Sequence, residues 1–438
     1  MKKQLFLLLL ALGCQLGFSQ TLDKAKLDSY FDALASNNKF MGSVAISKNG
    51  QVIYTKAVGF ADVATGKKPD ANSKYRIGSI SKTFTTTLVF KAIEEGKLNL
   101  DKTIAGYFPT LKNADKITIG NLLNHRSGIH NFTNDESYLT WDNTPQTEAQ
   151  LIDIIVKGGS DFEPDSKADY SNSNFVLLTF ILQKTYKKTY TELIDKYIIK
   201  PAGLKNTKVG SKINLAGNEV NSYAFKGKWV KEDETDMSIP LGAGAIISTP
   251  SDLTKFAEAL FTGKLISTKS VNQMKTITEG YGMGLFEKTF DGKKAYGHNG
   301  GIDGFTSALE YFPEDKIAYA ITSNGANYNP TDIINTLLSA AFNKDYQIPD
   351  FTSVALTAAD LDKYLGVYAS TDIPLKITVT KEEATLFAQA TGQGAFPLDA
   401  TAKDTFGFSQ AGIEMVFNPD EKTFILKQGG AEYNFTKE

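Results

Sequence analysis

Three short stretches of this 438-residue chain hold side chains whose types and spacing could do covalent chemistry. In "RIGSISKTFTT", Ser79 and Lys82 stand where an apolar run begins. Residues three apart on a helix share a face, so a lysine amine can reach the serine hydroxyl. That lysine takes a proton only when neutral, which requires burial or nearby positive potential. A helix start supplies such potential and favours a developing oxyanion. Gly78 leaves room beside the hydroxyl for a substrate backbone. The plainer alternative is a serine that merely caps its helix. Spacing alone does not decide, because "SNNK" repeats it at Ser36 and Lys39, where the first helix is running out.

Two distant stretches bear on the choice. "DYSNSNF" contains Tyr170-Ser171-Asn172, the only Tyr-x-Asn of the chain, at the entry to a helix. "YGHNGGIDGF" contains His298-Asn299-Gly300, the only His-x-Gly, on an expected strand. Taken singly, each has a structural reading: a half-buried tyrosine, an asparagine at a helix start, a packed histidine. His125 and His130 are read as structural, and three scattered histidines without a thiol argue against a zinc site. No metal and no organic cofactor is expected. The chain has neither a Gly-x-Ser-x-Gly elbow nor a phosphate-binding loop ending in Lys-Ser/Thr.

The elements that must position these residues are readable from periodicity. Leu27, Phe31 and Leu34 predict a first helix, and Asn49-Gly50 joins two alternating strands into a hairpin. After Ser79, residues Phe84, Leu88, Val89, Ala92 and Ile93 predict one apolar helix face, with Gly96 as its stop. Residues from about 100 to 275 read as helices and loops, including "SNFVLLTFILQKTY" and "SDLTKFAEALF". Strands return in the hairpin "YGMGLFEKTF-DG-KKAYGH" and in "TSALEYF" and "IAYAITSN", before the helix "TDIINTLLSAAF". The expected fold is α+β: an antiparallel sheet built from distant halves, flanked by helices, with a helical insert between. Residues 346–355 read as a linker. From 356 to 438, short strands with regular turns predict a small β-barrel or sandwich.

Bulk properties narrow the class. With 42% hydrophobic and 22% charged residues the composition is that of a globular protein. The balance of 47 basic against 49 acidic residues leaves almost no net charge, and the sequence has no long basic block, which argues against nucleic acid as a partner. "MKKQLFLLLLALGCQLGFSQ" has two lysines, an apolar run and small residues before Gln20, the anatomy of a secretory signal over residues 1–19. The run falls short of the roughly 20 residues of a membrane span. Cys14, the only cysteine, lies in "ALGC", which loosely resembles a lipoprotein box and would carry a lipid anchor; Ala11 stands where leucine is usual. Without that cysteine the mature chain has no disulfide.

Together, Ser-x-x-Lys, Tyr-x-Asn and His-x-Gly resemble the active-site set of the penicillin-recognising serine hydrolases, in the class C β-lactamase and D,D-peptidase branch. The resemblance covers roughly residues 22–345 in motif order, and "LLNHRSGI", "LGAGAIISTPSDL" and "YGMGL" are similar to its scaffold. It places the catalytic domain at 20–345. It implies Ser79 as acylating nucleophile, Lys82 and Tyr170 as the proton-handling pair, and Asn172 as a partner of the substrate's acyl-side amide. His298, Gly300 and Gly301 would form the substrate strand, with backbone N–H groups of Ser79 and Gly301 as oxyanion hole. Which of Lys82 and Tyr170 is the acylation base stays open. β-Lactamases of the branch carry Lys-Thr-Gly where this chain has His298-Asn299-Gly300. The resemblance therefore favours a D,D-peptidase, D-aminopeptidase or esterase on small amide, ester or peptide substrates. A β-lactamase is the second reading, and a binding protein without turnover the third. Some peptidases of the family carry a lipocalin-like barrel after the catalytic domain. Oligomeric state is not readable.

Overall fold

Asn49 and Gly50 both adopt positive φ, 52° and 73°, which is the backbone a two-residue hairpin needs. In the computed structural model, which describes residues 22–438 apart from 352, 353 and 355, this turn joins strands Phe40–Lys48 and Gln51–Val58. Asp291 and Gly292 repeat the geometry between strands Phe286–Phe290 and Lys293–Ile302. The expected signal segment and Cys14 lie outside the described residues.

The two hairpins belong to one six-stranded antiparallel sheet. Its order is Gln51–Val58, Phe40–Lys48, Ile317–Ala326, Phe305–Phe312, Lys293–Ile302, Phe286–Phe290. The first hairpin thus pairs with a strand from the other end of the region, as expected, with Ala45 opposite Ala320. One face is covered by helices Lys24–Ser36 and Pro330–Ala341 through Leu27, Phe31, Leu34, Ile333 and Leu337. The other face carries helix Pro250–Phe261 and the helical insert, whose core includes Phe84, Leu88, Phe175 and Phe256.

The helix after Ser79 differs from its expected one-sided pattern. Helix Ser81–Glu94 is buried on every side from Ser81 to Phe90. Its threonines are tolerated there because their hydroxyls find carbonyls: Thr83 on Gly284 and Thr85 on Gly242, each at 2.8 Å. The insert also contains short strands that periodicity does not reveal, among them Ile246–Ser248 between Tyr75–Arg76 and Lys208–Val209.

The C-terminal strands close into an eight-stranded antiparallel barrel, from Gly366–Ser370 to Ala431–Lys437, and Tyr368 pairs with Lys437 at the seam. Tyr364, Phe406, Phe417, Phe424 and Phe435 fill its core. Strands Phe396–Ala402 and Thr405–Phe408 are two of its eight. The segment before the barrel has no regular element at 344–351, yet it is pinned. Tyr346 packs edge-on against Tyr30 and Phe351 against Tyr328. Among the described residues no helix is long and apolar enough to cross a membrane.

Candidate active site

Ser79 sits in a short 3-10 turn, Gly78–Ile80, that leads into helix Ser81–Glu94. The cap positions of the turn and of the helix are Ile77 and Ile80, so Ser79 is not a capping residue and its hydroxyl faces other partners. Gly78 has φ +48°, and a Cβ there would stand 2.7 Å from the Gly301 nitrogen. Glycine therefore allows both the turn and the close approach of the strand carrying Gly301. One helical turn on, the Lys82 amine lies 3.0 Å from Ser79 Oγ, 2.7 Å from Asn172 Oδ1 and 2.9 Å from the Ala243 carbonyl. The Tyr170 hydroxyl donates to Ser79 Oγ at 2.7 Å.

Burial works on both side chains that reach Ser79 Oγ. Lys82 is fully buried, which holds its amine well below the usual lysine range. The Tyr170 phenol is pushed up, again by burial, so it keeps its proton. A neutral amine has two N–H groups and one lone pair. Asn172 Oδ1 and the Ala243 carbonyl can only accept, so they take both N–H groups. As an ammonium Lys82 donates to Ser79 Oγ; in the neutral form its remaining lone pair faces the Ser79 O–H, while Tyr170 donates to the same oxygen.

Asn172 is the first residue of helix Asn172–Tyr186. Its backbone N–H donates to Asn131 Oδ1 and its Nδ2 to Thr133 Oγ1, both at 2.9 Å, leaving one amide hydrogen uncommitted. His298 is buried in strand Lys293–Ile302, its ring 6.3 Å from that of Tyr170 and 4.7 Å from Phe286. Because a carbonyl only accepts, the contact with Asn299 O puts the proton on His298 Nδ1. Burial above all lowers the His298 pKa to about 3, so the ring is neutral with Nε2 bare.

Ser79 and Gly301 stand between two cavities. One, of about 480 Å³, is also lined by Asn172, Thr133, Glu232 and Asp233. The other, of about 310 Å³, is lined by Tyr170, Phe286, Lys288 and His298. Gly300 lines the second cavity, but packing alone accounts for its lack of a side chain. A Cβ there would fall 2.0 Å from the Ile77 carbonyl and 2.4 Å from Ser307 Oγ. At Gly301 the nearest atom to such a Cβ is 4.0 Å away, which leaves open space beside Ser79.

The structure thus gathers Ser79, Lys82, Tyr170, Asn172, His298, Gly300 and Gly301 at one cleft. It adds residues that sequence reasoning missed. Asn131 and Thr133 hold Asn172, and the Ala243 carbonyl holds Lys82. The readable sign of the last was "LGAG": a Cβ at Gly242 would stand 2.3 Å from Thr179 Oγ1, so small residues let this segment reach the buried helices. His125, read as structural, braces the site. Its ring lies 4.5 Å from that of Tyr170, and its Nδ1 accepts the Ser171 N–H at 3.1 Å. His130 is held elsewhere, between Asp135 and Asp161.

The chain is similar to several known proteins. Penicillin-binding protein 4* of Bacillus subtilis (strain 168) is 26% identical over 93% of this chain and 97% of its own length. The teichoic acid D-alanine hydrolase of Staphylococcus aureus (strain MRSA252) is 26% identical over 69% of this chain and 74% of its own. Among solved structures, a D-stereospecific amidohydrolase from Streptomyces sp. superposes with a TM-score of 0.64 at 28% identity, covering 73% of this chain and 98% of that one. Residues 27–344 match the Beta-lactamase family model, and the chain belongs to the beta-lactamase family of serine hydrolases.

Proposed function

We propose that this protein is an exported D,D-peptidase, D-aminopeptidase or esterase that cleaves small amide or ester substrates through an acyl-enzyme on Ser79. The observation that carries the reading is the Ser79–Lys82–Tyr170 network, with a neutral His298 where a β-lactamase of the branch has a fixed cation. The relatives named for D-alanine and D-stereospecific hydrolysis support the same substrate class.

Ser79 Oγ attacks the carbonyl carbon as its proton passes to the lone pair of Lys82. The bond to the leaving nitrogen or oxygen breaks as Tyr170 gives that atom its proton. Water then attacks the acyl-enzyme, yielding a proton to the Tyr170 phenolate, and Ser79 leaves with the proton held by Lys82. Both side chains end as they began. Backbone N–H groups of Ser79 and Gly301 stabilise the oxyanion, an interaction of about 3 kcal/mol per donor. The free amide hydrogen of Asn172 meets the acyl side of the substrate.

Incubation with a fluorophosphonate or a penicillin, followed by intact-mass and peptide mass spectrometry, tests the nucleophile. The expected adduct sits on Ser79 and is lost in Ser79→Ala. A folded protein that labels with neither reagent is a binding protein, not a hydrolase. Turnover of nitrocefin far above that of p-nitrophenyl acetate and D-alanyl peptides would replace this reading with a β-lactamase. Export rests on the anatomy of residues 1–19 and is tested by the mass of the mature N-terminus in cell fractions.

A further inference from the structure

We propose that the C-terminal barrel sets the far wall of the active-site cleft, and that Lys39 is the positioning residue that couples the two. The link is a small hairpin of the helical insert, Tyr223–Phe225 and Trp229–Lys231. At its tip, a Cβ on Gly227 would touch the Phe387 ring of barrel strand Thr385–Ala390 at 3.7 Å. Phe225 and Gly227 share a cavity of about 220 Å³ with barrel residues Leu386, Pro397 and Asp399. The chain leaving the hairpin enters the cleft directly: Glu232, Asp233 and Thr235 line the 480 Å³ cavity together with Ser79.

Two neighbouring residues of the first domain tie these parts together. Asn38 Oδ1 accepts the indole N–H of Trp229 at 3.1 Å, and Trp229 packs edge-on against Phe225. Lys39, next in sequence, forms an ion pair with Asp399 of barrel strand Phe396–Ala402. Its side chain is only 5% exposed, whereas that of Asp399 is 41% exposed. The Lys39 carbonyl accepts the Asn327 N–H at 2.8 Å, which anchors it to the end of the central sheet strand. A buried ammonium is tolerated only while its carboxylate stays in place. Lys39 therefore holds the barrel in register with the sheet, and the barrel and Asn38 together hold the hairpin. The hairpin sets where Glu232 and Asp233 enter the cleft, since Glu232 N–H donates to Ser222 O at its base, at 3.0 Å, whereas Glu234 and Thr235 are held from the other side by Arg76 and Asp303.

The enzymatic arm of the test rests on the Ser79 acylation reading; the exchange arm does not. Full-length Lys39→Met, Asp399→Asn and Lys39→Arg are compared with the unaltered chain. Each is titrated with an ethyl fluorophosphonate and with one carrying a long tail that extends along the cleft. In Lys39→Met and Asp399→Asn, the inhibition constant of the long probe is expected to rise about 3- to 10-fold. The limiting labelling rate and the behaviour of the short probe stay unchanged, and Lys39→Arg restores the long-probe constant. Hydrogen exchange of the amides at 222–235 quickens in the same two variants. If Lys39→Met does not fold, Asp399→Asn makes the same measurement at a half-exposed position. Unaltered exchange at 222–235 in folded Asp399→Asn, or equal changes for both probes, overturns the proposal. Absence of labelling in every chain would defeat the Ser79 reading instead, and the exchange result would still judge the coupling.

Discussion

Lys82 and Tyr170 have opposite acid–base character, yet burial pushes both toward the uncharged form. On the proposed mechanism, that shared shift lets one take a proton from Ser79 while the other holds one ready. Activity should therefore rise with pH as Lys82 loses its proton, and decline only where Tyr170 ionises at the alkaline extreme. In Lys82→Met, kcat/KM is expected to fall about 10²- to 10⁴-fold, and the rising limb of the pH profile should disappear. Stability carries the same signature. Below the usual lysine pKa the unfolded chain binds a proton that the folded one resists, so stability increases with pH across that window. Urea midpoints at pH 6 and 9 should differ less in Lys82→Met than in the unaltered chain. His298 offers a charge test at the same scale. His298→Lys places a cation beside Ser79, and acylation by benzylpenicillin, followed by mass, should quicken about tenfold or more if a carboxylate anchor is what the site lacks. Unchanged acylation would mean that another feature of the cleft excludes β-lactams.

Elements bring these residues together through close backbone approaches, and glycines permit them. In Gly300→Ala the new Cβ meets the Ile77 carbonyl, so strand Lys293–Ile302 must move off the nucleophile's turn. Overpacking of this kind costs about 1–3 kcal/mol. Here it should appear as a kcat at least about tenfold lower, because the oxyanion donors of Ser79 and Gly301 are drawn apart. The neighbouring strand Phe305–Phe312 holds a second titrating group. Burial raises the Glu310 carboxyl to about 7 from its usual 4.5. Between those values the folded state keeps a proton that the unfolded chain releases, so stability falls as pH rises, by about 3 kcal/mol in all. Glu310→Gln should match the parent's Tm at pH 5 and exceed it at pH 8. The sheet strands themselves were legible from alternation and from Asn49-Gly50 and Asp291-Gly292. Strands such as Ile246–Ser248 were not, since three residues carry no period. The carbonyl of Ala243 was hidden for another reason: a backbone contact has no residue type to read.

At the scale of the whole molecule, Ser36-Asn37-Asn38-Lys39 shows where a motif stops being informative. Its spacing equals that of Ser79 and Lys82, but the chain continues from Lys39 as a strand, and the lysine turns to a barrel residue 360 positions away. Helix periodicity and two distant motifs separated the catalytic candidate from its double; no local signal could announce the ion pair. The barrel was legible as a class, whereas strand Phe396–Ala402 was masked by Pro397, which reads as a strand breaker. Its core of Tyr364, Phe406, Phe417, Phe424 and Phe435 is separate from the cores on either face of the central sheet. Separate cores joined by a limited contact should unfold as separate cooperative units. Scanning calorimetry is expected to give either two transitions or a van't Hoff enthalpy below the calorimetric one. In Lys39→Met the docked contact loses its buried ion pair, so the two transitions should move further apart while the barrel's own melting stays within its fold. A single transition with matching enthalpies in both proteins would instead mean that the barrel and the catalytic region melt as one body, with cohesion spread well beyond Lys39 and Asp399.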